Sequence, residues 1–98
     1  MVVSTNAVAF NLTAKKWQNF WAEAFHLCPS LVPIVPEYRP AYEGQIDCTI
    51  AEFSVEQTGY IAAYLESTGQ PLRKTNRSFF DGIKRLADEG KALTCVTF

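Results

Sequence analysis

The sequence predicts an α+β domain in which a small, mostly antiparallel sheet of about three strands carries three helices. Two observations lead to this class. Apolar and polar residues alternate in three short segments, and apolar residues recur at three- and four-residue steps in three others. The predicted order is β-α-(Pro-rich loop)-β-α-α-β. The 98 residues fit one domain over positions 1–98, and a hydrophobic content of 48% suffices for one core.

The first strand is predicted over residues 6–12 and the first helix over residues 14–28. Val8, Phe10 and Leu12 alternate with other residues, which is typical of a strand with one buried face. Thr13 has the type and position of a helix N-cap. The helix carries an apolar stripe of Trp17, Phe20, Trp21, Ala24, Phe25 and Cys28. We interpret this stripe as the main core anchor, with an exposed docking face as the alternative.

A proline-rich segment follows at residues 28–44. It contains four of the five prolines, at positions 29, 33, 36 and 40. Proline fixes φ and lacks an amide donor, so neither a helix nor a central strand can run through this segment. We expect extended backbone that packs on the protein's own core. The P-x-x-P motif from Pro33 to Pro36 leaves the alternative of a ligand for an aromatic-lined groove.

The second half is predicted to contain a strand, two helices and a last strand. Residues 45–53 alternate as a strand, and Ser54 with Gln57 has capping-box spacing before a helix over residues 55–68. Gly59 inside that helix suggests a close helix contact, and Gly69 suits the helix end. A third helix is expected to start after Ser78 and to end at position 90. Residues 91–98 alternate again as a terminal strand.

The predicted binding site lies in the stretch "PLRKTNRSFF" (Pro71 to Phe80). Residues 1–70 carry a net charge of −4 and residues 71–98 a net charge of +3. A helix that begins at Ser78 would direct its free amides at this basic loop, and helix N-termini bind anions. The predicted partner- or anion-binding residues are Arg73, Lys74, Arg77, Lys84 and Arg85. An acidic protein surface, nucleic-acid phosphate and simple solvation all remain open as interpretations.

Groups that could carry catalysis are sparse. His26 is the only histidine, and Cys28 points to a different helix face from it. Cys48 and Cys95 lie far away in sequence, and one histidine with three scattered cysteines lacks the spacing of a zinc site. We therefore expect no catalytic residue, metal or cofactor.

The cysteine count and the N-terminus bear on location. Three cysteines without a C-x-x-C motif favour a reducing cytoplasm over a disulfide framework. The N-terminus lacks the pattern of a secretion signal, and no apolar run approaches the ~20 residues that span a bilayer. We therefore expect a cytoplasmic protein with no membrane partner.

Together these features favour a small non-enzymatic binding or regulatory protein, an adaptor or inhibitor, that modulates a larger protein partner. The alternative is a nucleic-acid-binding regulator. Helix, turn, helix and then "LADEGKALTCVTF" in residues 55–98 resemble the end of a winged-helix DNA-binding domain. The gap from Gly69 to Ser78 is shorter than that family's middle helix plus turn. Strand edges at residues 8–12 or 93–98 could also pair two copies into a homodimer.

Overall fold

The computed structural model of the protein describes residues 7–43 and 46–98. Its elements are β1 (Ala7–Leu12), α1 (Ala14–Leu27), a 3-10 turn (Pro29–Leu31), β2 (Glu37–Glu43), β3 (Ile46–Glu52), α2 (Val55–Ser67), α3 (Lys74–Asp88) and β4 (Ala92–Thr97). The predicted α+β class and the approximate element order are confirmed. The sheet, however, has four strands where three were predicted.

The sheet is mixed, with the strand order β1-β4-β3-β2. β4 runs parallel to β1 and antiparallel to β3, and β2 pairs antiparallel with β3. The predicted mostly antiparallel sheet is corrected in this respect, because the last strand returns between β1 and β3. Residues 93–97 therefore lie in an inner strand, and the edge strands are β1 and β2. A homodimer through β1 stays a prediction.

The additional strand lies in the proline-rich segment. β2 contains Pro40, which stands opposite Thr49 of β3. An edge strand tolerates proline because one row of its amides has no partner strand. Before β2, Leu31 is fully buried in the core and Ile34 packs against it. The prediction that this segment packs on the protein's own core is confirmed for these residues, but the predicted extended backbone is wrong for residues 29–31, which form the 3-10 turn.

The core lies between the sheet and the helices. The sheet contributes alternate residues to it, namely Ala51, Phe53, Leu93 and Cys95. From α1, Phe20, Trp21 and Ala24 are buried, which confirms the apolar stripe as a core anchor. The ring of Phe20 meets that of Phe79 on α3 edge-on, with centroids 4.7 Å apart. An edge-to-face ring pair stabilises the contact between α1 and α3 by more than the burial of its apolar area alone.

The helix ends follow local sequence rules. Thr13 Oγ1 accepts a hydrogen bond from a first-turn amide of α1 at 3.1 Å. The Ser54–Gln57 capping box is complete, with hydrogen bonds of 2.9 and 3.0 Å. Gly69 and Gly90, which follow α2 and α3, have φ values of 66° and 68°. These predictions are confirmed. No helix in the described ranges is long and apolar enough to cross a bilayer.

The close helix contact lies at Gly82 of α3 and not at Gly59 of α2. A Cβ atom built on Gly59 meets nothing within 4 Å, so the predicted contact there is wrong. A Cβ atom on Gly82 would lie 2.8 Å from the ring of Phe10 on β1. The glycine therefore lets α3 approach β1 closely, which sets the distance between this helix and the sheet.

Candidate binding site

The predicted anion site at the start of α3 is occupied by a side chain of the protein itself. α3 begins at Lys74, so the prediction that Ser78 caps it is wrong, and Arg73 occupies the N-cap position. The carboxylate oxygens of Glu23 on α1 accept hydrogen bonds from the Arg73 amide at 3.0 and 3.1 Å. Glu23 Oε1 also accepts one from Asn76 Nδ2 at 2.9 Å. The anion that this helix start attracts therefore comes from α1.

This arrangement gives Arg73 and Asn76 structural roles. The Glu23 side chain is only 14% exposed, and Arg73 Nε lies 3.5 Å from its Oε2 atom. Asn76 is buried, and a buried amide requires a hydrogen-bond partner. Glu23 is the only acidic residue between positions 13 and 36, which is the one sequence signal that singles it out. The hydrogen bonds of Glu23 with Arg73 and Asn76 could not be predicted from the sequence, because the residues that they join lie 50 and 53 positions apart.

Two other predicted binding residues contact neighbouring groups. Arg77 Nε donates a hydrogen bond to the Leu72 carbonyl at 3.3 Å. Lys84 Nζ lies 5.5 Å from the ring centroid of Phe80 and 4.0 Å from Glu66 Oε1. These contacts are made at the protein surface, where each contributes little to stability. They leave both cations accessible to a partner.

The remaining predicted residues are Lys74 and Arg85, which are exposed on α3. Neither has an acidic side chain within 4.0 Å in the part of the chain that the structure describes. Arg73 lines a cavity beside His26, whereas Arg85 lines a different cavity beside Lys91. The five predicted cations are therefore spread along a surface and do not converge on one concave site.

A cleft lined by aromatic and aliphatic side chains opens between α1 and the segment that leads into β2. Its volume is about 340 Å³, which lies within the range of ligand-binding pockets. It is lined by Trp17, Gln18, Trp21, Ala22, Phe25, Ile34, Pro36, Tyr38 and Phe53. We call this concavity the aromatic cleft.

One wall of the aromatic cleft is a row of rings on α1. Trp17, Trp21 and Phe25 recur every four residues, so they stack along one side of the helix. The centroids of neighbouring rings in this row lie 5.5 and 5.6 Å apart, and Phe53 lies 5.6 Å from Trp21. Phe20 faces the core instead. The apolar stripe therefore extends beyond the buried core residues of α1. Its outer side faces the proline-rich segment across the cleft.

The wall also contains an unpaired polar group. Trp21 is 7% exposed, and its Nε1–H group is buried without a hydrogen-bond acceptor among the described residues. A buried donor without a partner costs about 1–3 kcal/mol. The cleft wall therefore contains a buried polar group without a partner among the described residues, in contrast to Asn76 at the start of α3.

The rim of the aromatic cleft carries exposed apolar side chains. Tyr38 is 56% exposed and Val35 is 59% exposed, and Val32 lies in the same segment at 56%. Val35 and Tyr38 lie within two positions of Pro36, which lines the cleft. Exposed apolar side chains beside an apolar concavity are typical of an interaction surface. Tyr38 lines the cleft itself, so cleft and rim form one surface.

The cysteines and the histidine do not form a reactive cluster in the described ranges. All three cysteines are free, and burial raises the pKa of Cys95 to about 12. Cys95 is therefore a protonated core thiol near neutral pH and a weak nucleophile. No group of three His, Cys, Asp or Glu side chains within residues 7–43 and 46–98 could hold a metal ion.

Comparison of the chain with protein-family models, with curated proteins and with solved structures found no match.

Proposed function

We propose that the protein is a small non-enzymatic binding protein that modulates a larger protein partner by holding one of its apolar side chains in the aromatic cleft. The observation that carries this proposal is the cleft itself, which has ring-lined walls and an exposed apolar rim. Tryptophan and tyrosine are enriched at the energetically important centres of protein interfaces. Trp17 lines the cleft, and Tyr38 lines it at the exposed rim.

The size of the cleft suits one or two side chains of a partner. Burial of a leucine- or phenylalanine-sized anchor contributes about 1.5–3 kcal/mol, and a wall of rings provides this at low entropic cost. Val35 and Tyr38 at the rim can cover the flanks of the anchor. The affinity would then come from a few central residues, as is usual at protein interfaces.

The composition of the lining supports binding and not catalysis. The lining residues that the structure describes include no carboxylate, imidazole or thiol. General acid–base and nucleophilic catalysis depend on such groups. Gln18, whose side chain is exposed, is the one lining residue with an amide that can orient a ligand by hydrogen bonds.

Intrinsic fluorescence tests the proposal directly, because both tryptophans of the chain line the cleft. Peptides selected from a displayed library against the protein should change its tryptophan emission. Ala22→Phe places a ring into the cleft from an exposed position, and Ala63→Phe adds the same ring at an exposed position on α2. We expect Ala22→Phe to weaken binding by roughly tenfold or more, whereas Ala63→Phe retains it. Selected peptides that bind Ala22→Phe as tightly as the unmodified protein would contradict the proposal.

A second candidate function is binding of nucleic-acid phosphate by α3. It is favoured by Lys74, Arg77 and Arg85, which are exposed at helical spacings of three and eleven residues on one side of the helix. β4 lies inside the sheet, so the likeness to a winged-helix wing does not extend to this strand. A gel shift with duplex DNA at low salt tests this function. Weaker binding by Lys74→Ala, with a smaller salt dependence, is expected. Absence of any shift with the unmodified protein would rule this function out.

A further inference from the structure

An acidic concavity adjoins the aromatic cleft. It has a volume of about 590 Å³ and lies where β2 begins, β3 ends and α2 begins. Its carboxylates are Glu37, Glu52 and Glu56, and Val35 and Phe53 line it as well. Phe53 also lines the aromatic cleft, so the two concavities share this buried residue. We call this second concavity the acidic notch.

The charges of the acidic notch are only partly neutralised within the described part of the chain. Glu37 stands opposite Glu52 in the β2–β3 register, and like charges at opposed positions are unfavourable. Arg39 offsets one of them, with Nε and Nη2 each 2.9 Å from Glu52 Oε1. Glu37 and Glu56 have no cation within 4.0 Å among the described residues. Glu56 favours the start of α2 through the helix dipole, but Glu37 has no such role.

We propose that the partner segment is both apolar and basic. Its apolar anchor fills the aromatic cleft, and a lysine or arginine close to the anchor in sequence lies in the acidic notch. This inference rests on the proposed function and adds the chemistry of the partner. Complementary charge contributes to specificity and association rate more than to affinity. The apolar anchor therefore supplies affinity, and the carboxylates select the segment.

The charge layout of the chain supports this orientation. Residues 71–98 carry the excess of positive charge, and the acidic notch lies in the negatively charged part of the sequence. A basic segment that approaches the protein is therefore attracted towards the notch and repelled by α3. A second copy of the chain could present α3 of its own to the notch, and the experiment below detects that outcome as self-association.

Three synthetic peptide pools test the inference. Every peptide carries one leucine or phenylalanine anchor, and its variable positions are basic in the first pool, acidic in the second and neutral in the third. Peptides without tryptophan and tyrosine leave Trp17 and Trp21 as the reporters. We expect the basic pool to bind at least roughly fivefold more tightly than the acidic pool at low salt, and this difference to shrink as salt is added.

Charge-reversal variants test whether the acidic notch causes the preference for basic peptides. Glu37→Lys should abolish or reverse the preference for the basic pool, because residue 37 lines the notch. Asp88→Lys makes the same change in net charge at an exposed position near the end of α3 and should leave the preference intact. Equal effects of the two variants would show a nonspecific effect of net charge and overturn the inference. Unfolding midpoints in urea establish that both variants are folded.

The remaining outcomes separate this inference from the proposed function. If all pools bind equally and Ala22→Phe blocks them, the cleft binds peptides and the acidic notch does not select them. If no pool changes the tryptophan emission, the proposed function itself fails. If light scattering shows a dimer that Glu37→Lys dissociates, the occupant is a second copy and the inference is overturned.

Discussion

The aromatic cleft and the start of α3 both adjoin α1, and they differ in whether their buried polar groups have hydrogen-bond partners. At the start of α3, Glu23 accepts the hydrogen bonds of the Arg73 amide and of Asn76. In the cleft, Trp21 Nε1–H has no acceptor among the described residues, and the rim is apolar and exposed. The charged stretch at the start of α3 thus has its hydrogen-bond acceptor, Glu23, within the same protein. An apolar stripe that suits a core can instead leave surface for a partner.

The largest expected effect separates the buried part of the cleft from its rim. Trp21→Ala should lower the free energy of unfolding by about 3–5 kcal/mol, because it removes a buried ring from the core. Tyr38→Ala should change it by less than about 0.5 kcal/mol, because this side chain is mostly exposed. Urea unfolding followed by circular dichroism measures both. A comparable loss of stability in Tyr38→Ala would show that the rim is part of the core and would weaken its role as a binding surface.

The stability of the protein at alkaline pH tests whether Cys95 is buried in the core that supports both regions. The Cys95 thiol has a folded pKa of about 12 against an ordinary value of 9.0, since burial disfavours the thiolate. The neutral thiol therefore stabilises the fold fully below pH 9.0. This contribution is lost between pH 9.0 and about 12, at up to about 1.4 kcal/mol per pH unit.

The measurement is the difference in unfolding free energy between the unmodified protein and Cys95→Ala as the pH rises. Lysines and tyrosines titrate in both proteins, so their contributions largely cancel. The difference should narrow above pH 9.0. A constant difference across this interval would mean that Cys95 ionises as easily in the folded protein as in the unfolded chain.

Removal of Glu23 tests whether the start of α3 is an anion site that the protein occupies itself. Glu23→Ala should lower the free energy of unfolding by about 1–3 kcal/mol, because Asn76 loses its partner in a buried position. Inorganic phosphate should then stabilise the variant more than the unmodified protein, since the Arg73 amide and the Asn76 side chain lose their acceptor and can bind an anion at the helix start. Thermal unfolding with and without phosphate provides the measurement.

Glu66→Ala is the matched control for Glu23→Ala. It removes an exposed carboxylate whose nearest cation, Lys84, lies 4.0 Å away. Its effect should stay within about 0.5 kcal/mol, without a specific response to phosphate. If phosphate stabilises Glu23→Ala and the unmodified protein equally, the start of α3 does not act as an anion site.

The smallest expected effect concerns the packing of α3 against the sheet. This packing fixes the position of the first turn of α3 beside Glu23. Gly82→Ala gains helix propensity of about 1 kcal/mol but forces a Cβ atom against Phe10, and overpacking costs about 1–3 kcal/mol. Gly59→Ala gains the same propensity in open space. We expect Gly59→Ala to raise the unfolding midpoint and Gly82→Ala to lower it. Stabilisation by both substitutions would mean that the Phe10 ring moves aside freely.

Sequence patterns predicted the elements whose causes are local. Thr13, Ser54 and Gln57 cap helices as their types and spacings indicate, because a cap depends on groups within one turn. β2 was missed because its proline suggested loop, and only a place at the sheet edge makes Pro40 compatible with a strand. The start of α3 was placed five residues late, because the Ser78 pattern imitates a local cap.

The candidate site was predicted less well than the fold. The sequence analysis identified the ring-bearing stripe of α1 and kept an exposed docking face only as an alternative. Whether Trp17 is covered depends on which segment packs beside α1, and periodicity carries no information on that. The five predicted cations could not be assigned to one site either, since the partners of Arg73 and Lys84 lie on other helices.

The α+β class, the N-caps of α1 and α2 and the aromatic anchor of the core follow from the sequence, because these depend on spacing and on interactions within a few residues. Two features depend on tertiary packing: β4 enters the sheet between β1 and β3, and Glu23 accepts the hydrogen bonds of Arg73 and Asn76 at the start of α3. The tertiary structure also decided that a flank of the aromatic stripe stays open as a cleft. Each of these depends on groups distant in sequence, whose proximity is set by the packing of the whole chain.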